Sequence, residues 1–359
     1  MKPKHFILLV IPIVFLNCKS PNIALYVGTY TKGDSEGIYR LDFNTKTGIL
    51  SNLQLSVATD NPSFLTYSPD RTYMYSTNGT GNGFLSSYKV NNDGSLTILN
   101  RVSSEGKGPC HISINNKGTK IAISNYGGGT VSIYPIHTDG SLKEASQVFN
   151  HNTNNETSHV HSAQFFKDDL FVADLGRNAI YQYVLNNDAY KLKHEAIVKT
   201  TGNPGPRHFA LTKDVNYIYV INEYGASITS IKRTENGFEL IDEDNTLEPT
   251  FKGFNKCADI HLSKDERFLY GSNRGENTIA VFKRDITTGN IERIQNISVH
   301  GDWPRNFTID PTGKFLLVAN RNTQNIAVFS IDNTSGKLSF LHDVKVPEPC
   351  VYYFKFVIK

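Results

Sequence analysis

Phe315-Leu316-Leu317-Val318-Ala319-Asn320, then Ile326-Ala327-Val328-Phe329, then Ser335-Gly336-Lys337-Leu338, is the stretch on which the fold turns. An apolar run ends on an Asn, a second apolar run follows, and a Gly turn comes next. Both runs are short and bounded by turn residues, which reads as two strands. The glycine suits the positive φ that tight hairpin turns require.

The same pattern recurs along the chain. The glycine turn returns as Thr47-Gly48-Ile49-Leu50, Asp93-Gly94-Ser95-Leu96, Asp139-Gly140-Ser141-Leu142, Asn236-Gly237-Phe238 and Thr288-Gly289-Asn290-Ile291, with Asp188-Ala189-Tyr190 in the same place once. The residue that ends the first run returns as Thr29, Asn78, Asn125, Asp174, Asn222, Asn273 and Asn320, at intervals of 49, 47, 49, 48, 51 and 47. No helical periodicity lies between. Four short strands in about 40–50 residues, repeated, is the pattern of a β-propeller blade. The spacing predicts an all-β, seven-bladed propeller of four-stranded blades, one domain over 24–359. An open stack of repeats would need polar caps at its ends. Here the chain instead ends in Val351-Tyr352-Tyr353-Phe354-Lys355-Phe356-Val357, a strand predicted to pair with the first blade and close the ring.

Composition agrees with a strand-rich core. The chain has 359 residues, 21 Phe and 18 Tyr but 2 Met, and 20% charged residues with a net charge of +3. That balance argues against nucleic acid as a partner, since phosphate-driven binding needs a basic stripe. Past the N-terminus no apolar run reaches the ~20 residues of a membrane span.

The first residues read differently. Lys2, Lys4 and His5 precede an apolar run from Phe6 to Leu16, the layout of an export signal. Phe15-Leu16-Asn17-Cys18 resembles a bacterial lipobox, with Asn17 where a small residue is usual. Residues 1–17 are therefore expected to be a signal, Cys18 a lipidated mature N-terminus, and 18–23 a short linker. Such a protein would be periplasmic or membrane-anchored through Cys18, and cytoplasmic if the signal is unused. A monomer is expected. Cys110, Cys257 and Cys350 are odd in number and widely spaced, so buried free thiols are expected.

Ring closure gives the repeat a functional consequence: residues at equivalent positions converge around one axis. Counting back 14 from the strand-ending residues reaches Phe64, His111, His208, Asp259 and Asn306, and 13 back from Asp174 reaches His161. Just after those residues come Tyr126, Leu175, Glu223, Arg274 and Arg321, and the first column is flanked by His159, Arg207 and Arg305. Such groups cost free energy to bury unless paired or wet. They could merely hydrogen-bond blade to blade, and Asn at strand ends suits turns. Two guanidiniums at one mouth, however, repel unless an anion joins them, and planar Arg forks suit carboxylate or phosphate. His159-x-His161 could present two imidazoles to a metal, but no Asp, Glu or Cys stands beside them at ligand spacing, so no metal or cofactor is expected. Gly127-Gly128-Gly129 leads into no helix, and no nucleophile elbow is present.

Tyr26-Val27-Gly28-Thr29-Tyr30, Gly108-Pro109-Cys110-His111, Asn125-Tyr126-Gly127-Gly128-Gly129, His159-Val160-His161-Ser162, Pro204-Gly205-Pro206-Arg207-His208, Asn222-Glu223, Ser272-Asn273-Arg274-Gly275, Trp303-Pro304-Arg305 and Asp310-Pro311-x-Gly313 together resemble the seven-bladed propeller lactonase family. Its bacterial members are 6-phosphogluconolactonases, and its fungal relatives are carboxy-muconate lactonizing enzymes. The resemblance implies metal-independent opening of a sugar lactone, 6-phosphogluconolactone foremost. It implies His159 (or His161), Arg207, Arg274 and Glu223 as the active groups. His159 would be the general base, an imidazole ordinarily titrating at about 6.5. Glu223 would orient it or act as base itself, and the arginines would hold the substrate anion and the oxyanion. His111, His161, His208, Asn222, Asn273, Arg305 and Asn320 are expected to contact substrate. Two alternatives remain open: a muconate-type cycloisomerase, and a non-catalytic propeller that binds a sugar acid or a protein.

Overall fold

The computed structural model describes residues 22–193, 198–199 and 202–355. Seven antiparallel sheets follow one another along the chain, six of them with four strands and the fourth with a fifth short one. In blades two to seven the inner strands are Pro62–Tyr67, Pro109–Ile114, Val160–Phe166, Pro206–Leu211, Lys256–Leu262 and Pro304–Ile309. Each is followed outward by three more strands in sequence order.

The first blade is assembled from both ends of the chain. Its sheet runs from Pro349–Lys355 at the inner edge through Asn22–Thr29 and Gly37–Asn44 to Leu50–Ala58. Asn22–Thr29 pairs antiparallel with the C-terminal strand from Ala24↔Lys355 to Thr29↔Pro349, so the ring is closed by the strand predicted to close it. That pairing removes the free sheet edge an open ring would expose. The first strand begins at Asn22, inside the expected linker, while the signal 1–17 and Cys18 lie outside the described residues.

The core is divided into seven apolar clusters, each between two neighbouring blades. Leu25, Leu41 and Phe43 of blade one pack on Leu317 and Val328 of blade seven, for example, and seal the ring a second time. Alternation within the strands produces this: side chains on both faces of a blade must meet a neighbour. The glycine turns tie adjacent blades together as well. Gly289 has φ +84° and lies against the Tyr217 ring, and Tyr219 Oη donates to its carbonyl at 2.8 Å. Gly336, at φ +72°, lies in the same way on Phe268, and Tyr270 Oη donates to it at 3.0 Å. A side chain at either glycine would be strained in φ and would collide with the aromatic ring.

The strand-ending residues belong to the second strand of each blade, and most of them latch the loop that crosses between blades. Asn125 Nδ2 donates to Ser104 O at 2.8 Å, Asn273 Nδ2 to Thr246 O at 2.9 Å, and Asn320 Nδ2 to Val299 O at 2.9 Å. Asp174 does the same with the opposite polarity, accepting from the His159 N–H at 3.0 Å.

Candidate active site

Every inner strand of blades two to seven carries a register shift near its start, after Pro62, Pro109, Val160, Pro206, Cys257 and Pro304. A bulge re-aims the extra residue. In five of the blades that residue is Ser63, Cys110, His161, Arg207 or Arg305. The residue after it falls into the column of Phe64, His111, Ser162, His208, Asp259 and Asn306. His161 therefore does not share a column with His111 and His208, as the count of 13 suggested. The hairpin after its strand is two residues tighter, Phe165 pairing with Leu170 where Tyr67 pairs with Met74, so Ser162 occupies that place.

Three columns meet at the mouth where the inner strands begin: His159, Lys256 and Trp303 just before the strands, the bulge residues, and Tyr30, Tyr126, Glu223, Arg274 and Arg321 just after the second strands. Glu223 is at their centre. Its Oε2 accepts from Arg207 Nε at 3.0 Å and lies 3.0 Å from Arg274 Nη2, and its Oε1 lies 3.4 Å from Lys256 Nζ. All three of Arg207, Glu223 and Arg274 are buried. Burial alone would raise the Glu223 carboxyl, but Arg207, Arg274 and Lys256 outweigh it and hold the group below the usual carboxylate range. Burial and the Arg305 charge pull Arg207 down, and burial and Arg207 pull Arg274 down.

The anion that joins the two guanidiniums is thus the protein's own carboxylate. Glu223 is bonded to the arginines and not to His159, which corrects its expected role of orienting that imidazole, and a carboxylate stabilised by three cations is a weak base. The arginines keep donors in reserve. Arg207 also donates Nη1 to Ala258 O, and Arg274 donates Nε to Lys256 O at 3.1 Å and Nη2 to Cys257 O at 2.7 Å. Arg207 Nη2 and Arg274 Nη1 make no hydrogen bond among the described residues, though both side chains are deeply buried, Arg207 at 1% and Arg274 at 4% exposure.

His159 is held by a different element. Its Nδ1 donates to Tyr126 O at 3.0 Å, and its ring stacks on the Tyr126 ring with centroids 4.6 Å apart and planes 14° apart. Donation from Nδ1 leaves the Nε2 lone pair free. A cavity of about 390 Å³ opens beside it, lined also by Leu175, Gly176, Asn203 and Tyr224. Tyr224 carries Lys256 over its ring at 5.1 Å, and Trp303 lies under Arg274 at 5.3 Å. Arg305 and Arg321 both lie over Tyr30, at 5.4 and 4.5 Å.

The other predicted residues separate into two groups. His111, His161 and His208 stand together, His208 with ring centroids 5.6 Å from His111 and 5.2 Å from His161, and Phe64 stacks 4.3 Å from His111. Burial first, and Arg207 next, lower His208 to about 4. His111 and His161 are depressed well below the ordinary imidazole value, again chiefly by burial. Low basicity of this kind disfavours His161 as a proton acceptor near neutral pH. Asn222, Asn273 and Asn320 are fully enclosed and spend their amides on the blades; Asn222 Nδ2, for instance, donates to Ser227 and Thr229. In place of the expected substrate contacts, Asn273 and Asn320 hold a loop that crosses between blades and Asn222 holds the third strand of its own blade. Burial pushes the Cys110 thiol up to about 12, which disfavours the thiolate a nucleophile would need. Cys110, Cys257 and Cys350 are free, as expected. Lys256 and Tyr224 were not foreseen; the usable signal was that Lys256 occupies the same repeat position as His159 and Trp303.

Comparison with known proteins agrees with the fold. The family model described as lactonase, 7-bladed beta-propeller, matches residues 24–354. The 6-phosphogluconolactonase of Bacillus subtilis (strain 168) is 33% identical over 298 residues, 80% of this chain and 85% of that one. The 6-phosphogluconolactonase of Formosa agariphila is 33% identical over 308 residues, 81% of this chain and 87% of the other. Among solved structures, the periplasmic gluconolactonase of Pseudomonas aeruginosa superposes with a TM-score of 0.87 at 29% identity, over 93% of this chain and 99% of that one. The chain is a lactonase and belongs to the seven-bladed β-propeller lactonase family.

Proposed function

We propose that the chain hydrolyses the lactone of an anionic sugar, 6-phosphogluconolactone or a close analogue, at the mouth that holds His159. The observation that supports this is a free imidazole nitrogen, fixed by Tyr126 O, in a cavity whose Tyr224 wall carries Lys256 of the positively charged cluster. Four cations, Arg207, Arg274, Lys256 and Arg305, interact there with two carboxylates, Glu223 and Asp259. The surplus favours an anionic ligand.

In this reading His159 Nε2 takes a proton from water as the oxygen adds to the lactone carbonyl carbon. The developing oxyanion is met by the unspent donors Arg207 Nη2 and Arg274 Nη1. Collapse breaks the bond to the ring oxygen, which leaves with the proton from His159 and yields the open hydroxy acid as its carboxylate. Glu223 keeps the two guanidiniums together. Lys256, with a third of its side chain exposed, is the group best placed for a substrate phosphate.

A pH-stat assay comparing 6-phosphogluconolactone with gluconolactone, each corrected for spontaneous opening, tests the reading. Faster acid release from the phosphorylated lactone supports it; turnover of a carboxy-muconate and of neither lactone would replace it with the cycloisomerase. The N-terminal segment is proposed to export the chain and to be lipidated at Cys18, with a periplasmic relative in support. Mass spectrometry of the mature N-terminus checks this: an unmodified Met1 in the cytoplasmic fraction would overturn it.

A further inference from the structure

The channel has a second mouth, opposite the first, and it opens into a cavity of about 960 Å³. His111, His208 and Phe64 form its floor, and the turns that carry Arg71, Lys213 and Lys264 form its rim. None of His159, Arg207, Glu223 or Arg274 lines it. Strand alternation decides what does face it. Two residues beyond the floor column, the inner strands present Thr66, Ser113, Gln164, His261 and Thr308 to the lumen.

Those groups are underused by the protein. The hydroxyls of Thr66, Ser113 and Thr308 make no hydrogen bond among the described residues, and Ser113 Oγ is buried without a partner. Gln164 spends Nε2 on Phe209 O at 2.9 Å and leaves Oε1 free. His111 is 5% exposed, and its Nδ1 accepts from the Ala163 N–H at 3.5 Å, so Nε2–H is an unpartnered donor on the cavity floor. The carboxylates, by contrast, are largely consumed. Asp259 accepts from His208 at 2.7 Å, from His261 and Phe307 N at 3.1 and 3.2 Å, and from Asn306. Asp310 accepts four donors from its own turn, and Glu266 gives one oxygen to Lys213 N. What remains is a ring of hydroxyl and amide groups below a rim where Arg71, Lys213 and Lys264 stand among Glu266 and Asp310. Lys213 Nζ donates to Lys264 O at 2.8 Å and Lys264 Nζ to Pro311 O at 3.4 Å, each ammonium keeping further donors. Buried polar groups are normally satisfied, and those left open at a cavity mark a place for a ligand.

We propose that this second mouth is a binding site for a sugar acid: its hydroxyls lie in the Thr66, Ser113, Gln164 and Thr308 ring, and its carboxylate faces the Lys213 and Lys264 rim. The site is separate from the hydrolytic one, with the histidine layer between them and His208 touching Arg207 across it at 3.3 Å. An open-chain aldonate, the product class of a sugar lactonase, has the required chemistry. Its occupation would report product level without blocking the other mouth.

Calorimetric titration of the whole protein with sodium D-gluconate tests this. The double variant Ser113→Ala, Thr308→Val keeps shape while removing two hydroxyls, and should weaken binding at least about tenfold with unchanged melting temperature and unchanged lactone hydrolysis. Lys213→Ala, Lys264→Ala should weaken gluconate more than the uncharged polyol D-glucitol. Arg207→Lys, at the other mouth, should leave this binding in place. Binding that survives both double variants and disappears in Arg207→Lys would overturn the proposal, as would no heat up to tens of millimolar gluconate.

Discussion

Arg207 Nε donates to Glu223 Oε2 at 3.0 Å, and both side chains are buried. The same oxygen meets Arg274 Nη2. Two guanidiniums are therefore held side by side by one carboxylate, with their outer nitrogens left for a substrate. Removing one member of such a pair leaves an uncompensated buried charge, which costs more than the pair itself contributes.

Glu223→Gln should accordingly destabilise the fold by about 3–5 kcal/mol and lower lactone turnover. Adding phosphate or sulfate should raise the melting temperature of this variant more than that of the wild type, since an external anion can take the vacated place. Equal salt responses in a thermal-shift series would show that the arginines do not depend on Glu223.

His159 should be separable from stability. It is only partly buried and the one hydrogen bond of its side chain among the described residues is to Tyr126 O, so His159→Gln should melt within a few degrees of the wild type. Its kcat should fall by about 10²–10⁴, the range for loss of a general base. Retention of more than a tenth of the wild-type kcat would remove His159 from the reaction.

Lys256 should read out substrate charge. Lys256→Met is expected to raise KM for the phosphorylated lactone about tenfold, the scale of one charge-assisted contact, with little change in kcat. KM for the unphosphorylated lactone should stay within about twofold. A parallel rise for both substrates would place the phosphate elsewhere.

The buried histidines predict acid sensitivity. His208 is lowered to about 4 in the fold by burial and by Arg207, whereas an unfolded histidine titrates at about 6.5. Below that pH the unfolded chain binds a proton that the folded chain refuses, so stability is lost as pH falls from about 6.5 toward 4, by about 1.4 kcal/mol per pH unit for one such group. His111 and His161 are depressed too and add to the slope. His261 opposes it, because Asp259 outweighs its burial and raises it, stabilising the fold at pH values below its raised pKa. Urea melts at pH 7.5 and pH 5 should therefore differ by at least about 2 kcal/mol, and His111→Asn should narrow the gap. Equal stabilities would mean that these rings are protonated in the folded protein.

Much of this architecture is legible in the amino-acid order, and for a physical reason. The interval between Asn125 and Asp174 or between Asn273 and Asn320 depends on strand length and turn chemistry, which are local. Six such intervals plus an apolar terminal strand leave a closed ring as the arrangement that buries every strand face. The identity of Arg207, Glu223 and Arg274 as neighbours is also visible there, because equivalent positions in a closed ring converge. What each group does is not. By the repeat count Glu223 could meet His159 as readily as Arg207; the bulge after Pro206 turns Arg207 onto it, and His159 instead bonds Tyr126 O. Asn273 and Asn320 look like channel residues in a column count and prove to hold a crossing loop, because side-chain direction at a strand end depends on which loop crosses beside it. The ring and its closure follow from the order of residues alone. The pairing of residues at one mouth and the second polar cavity on the far side emerge only from the folded chain, because pairing and hydrogen-bond satisfaction are set by distances across blades that are far apart in the chain.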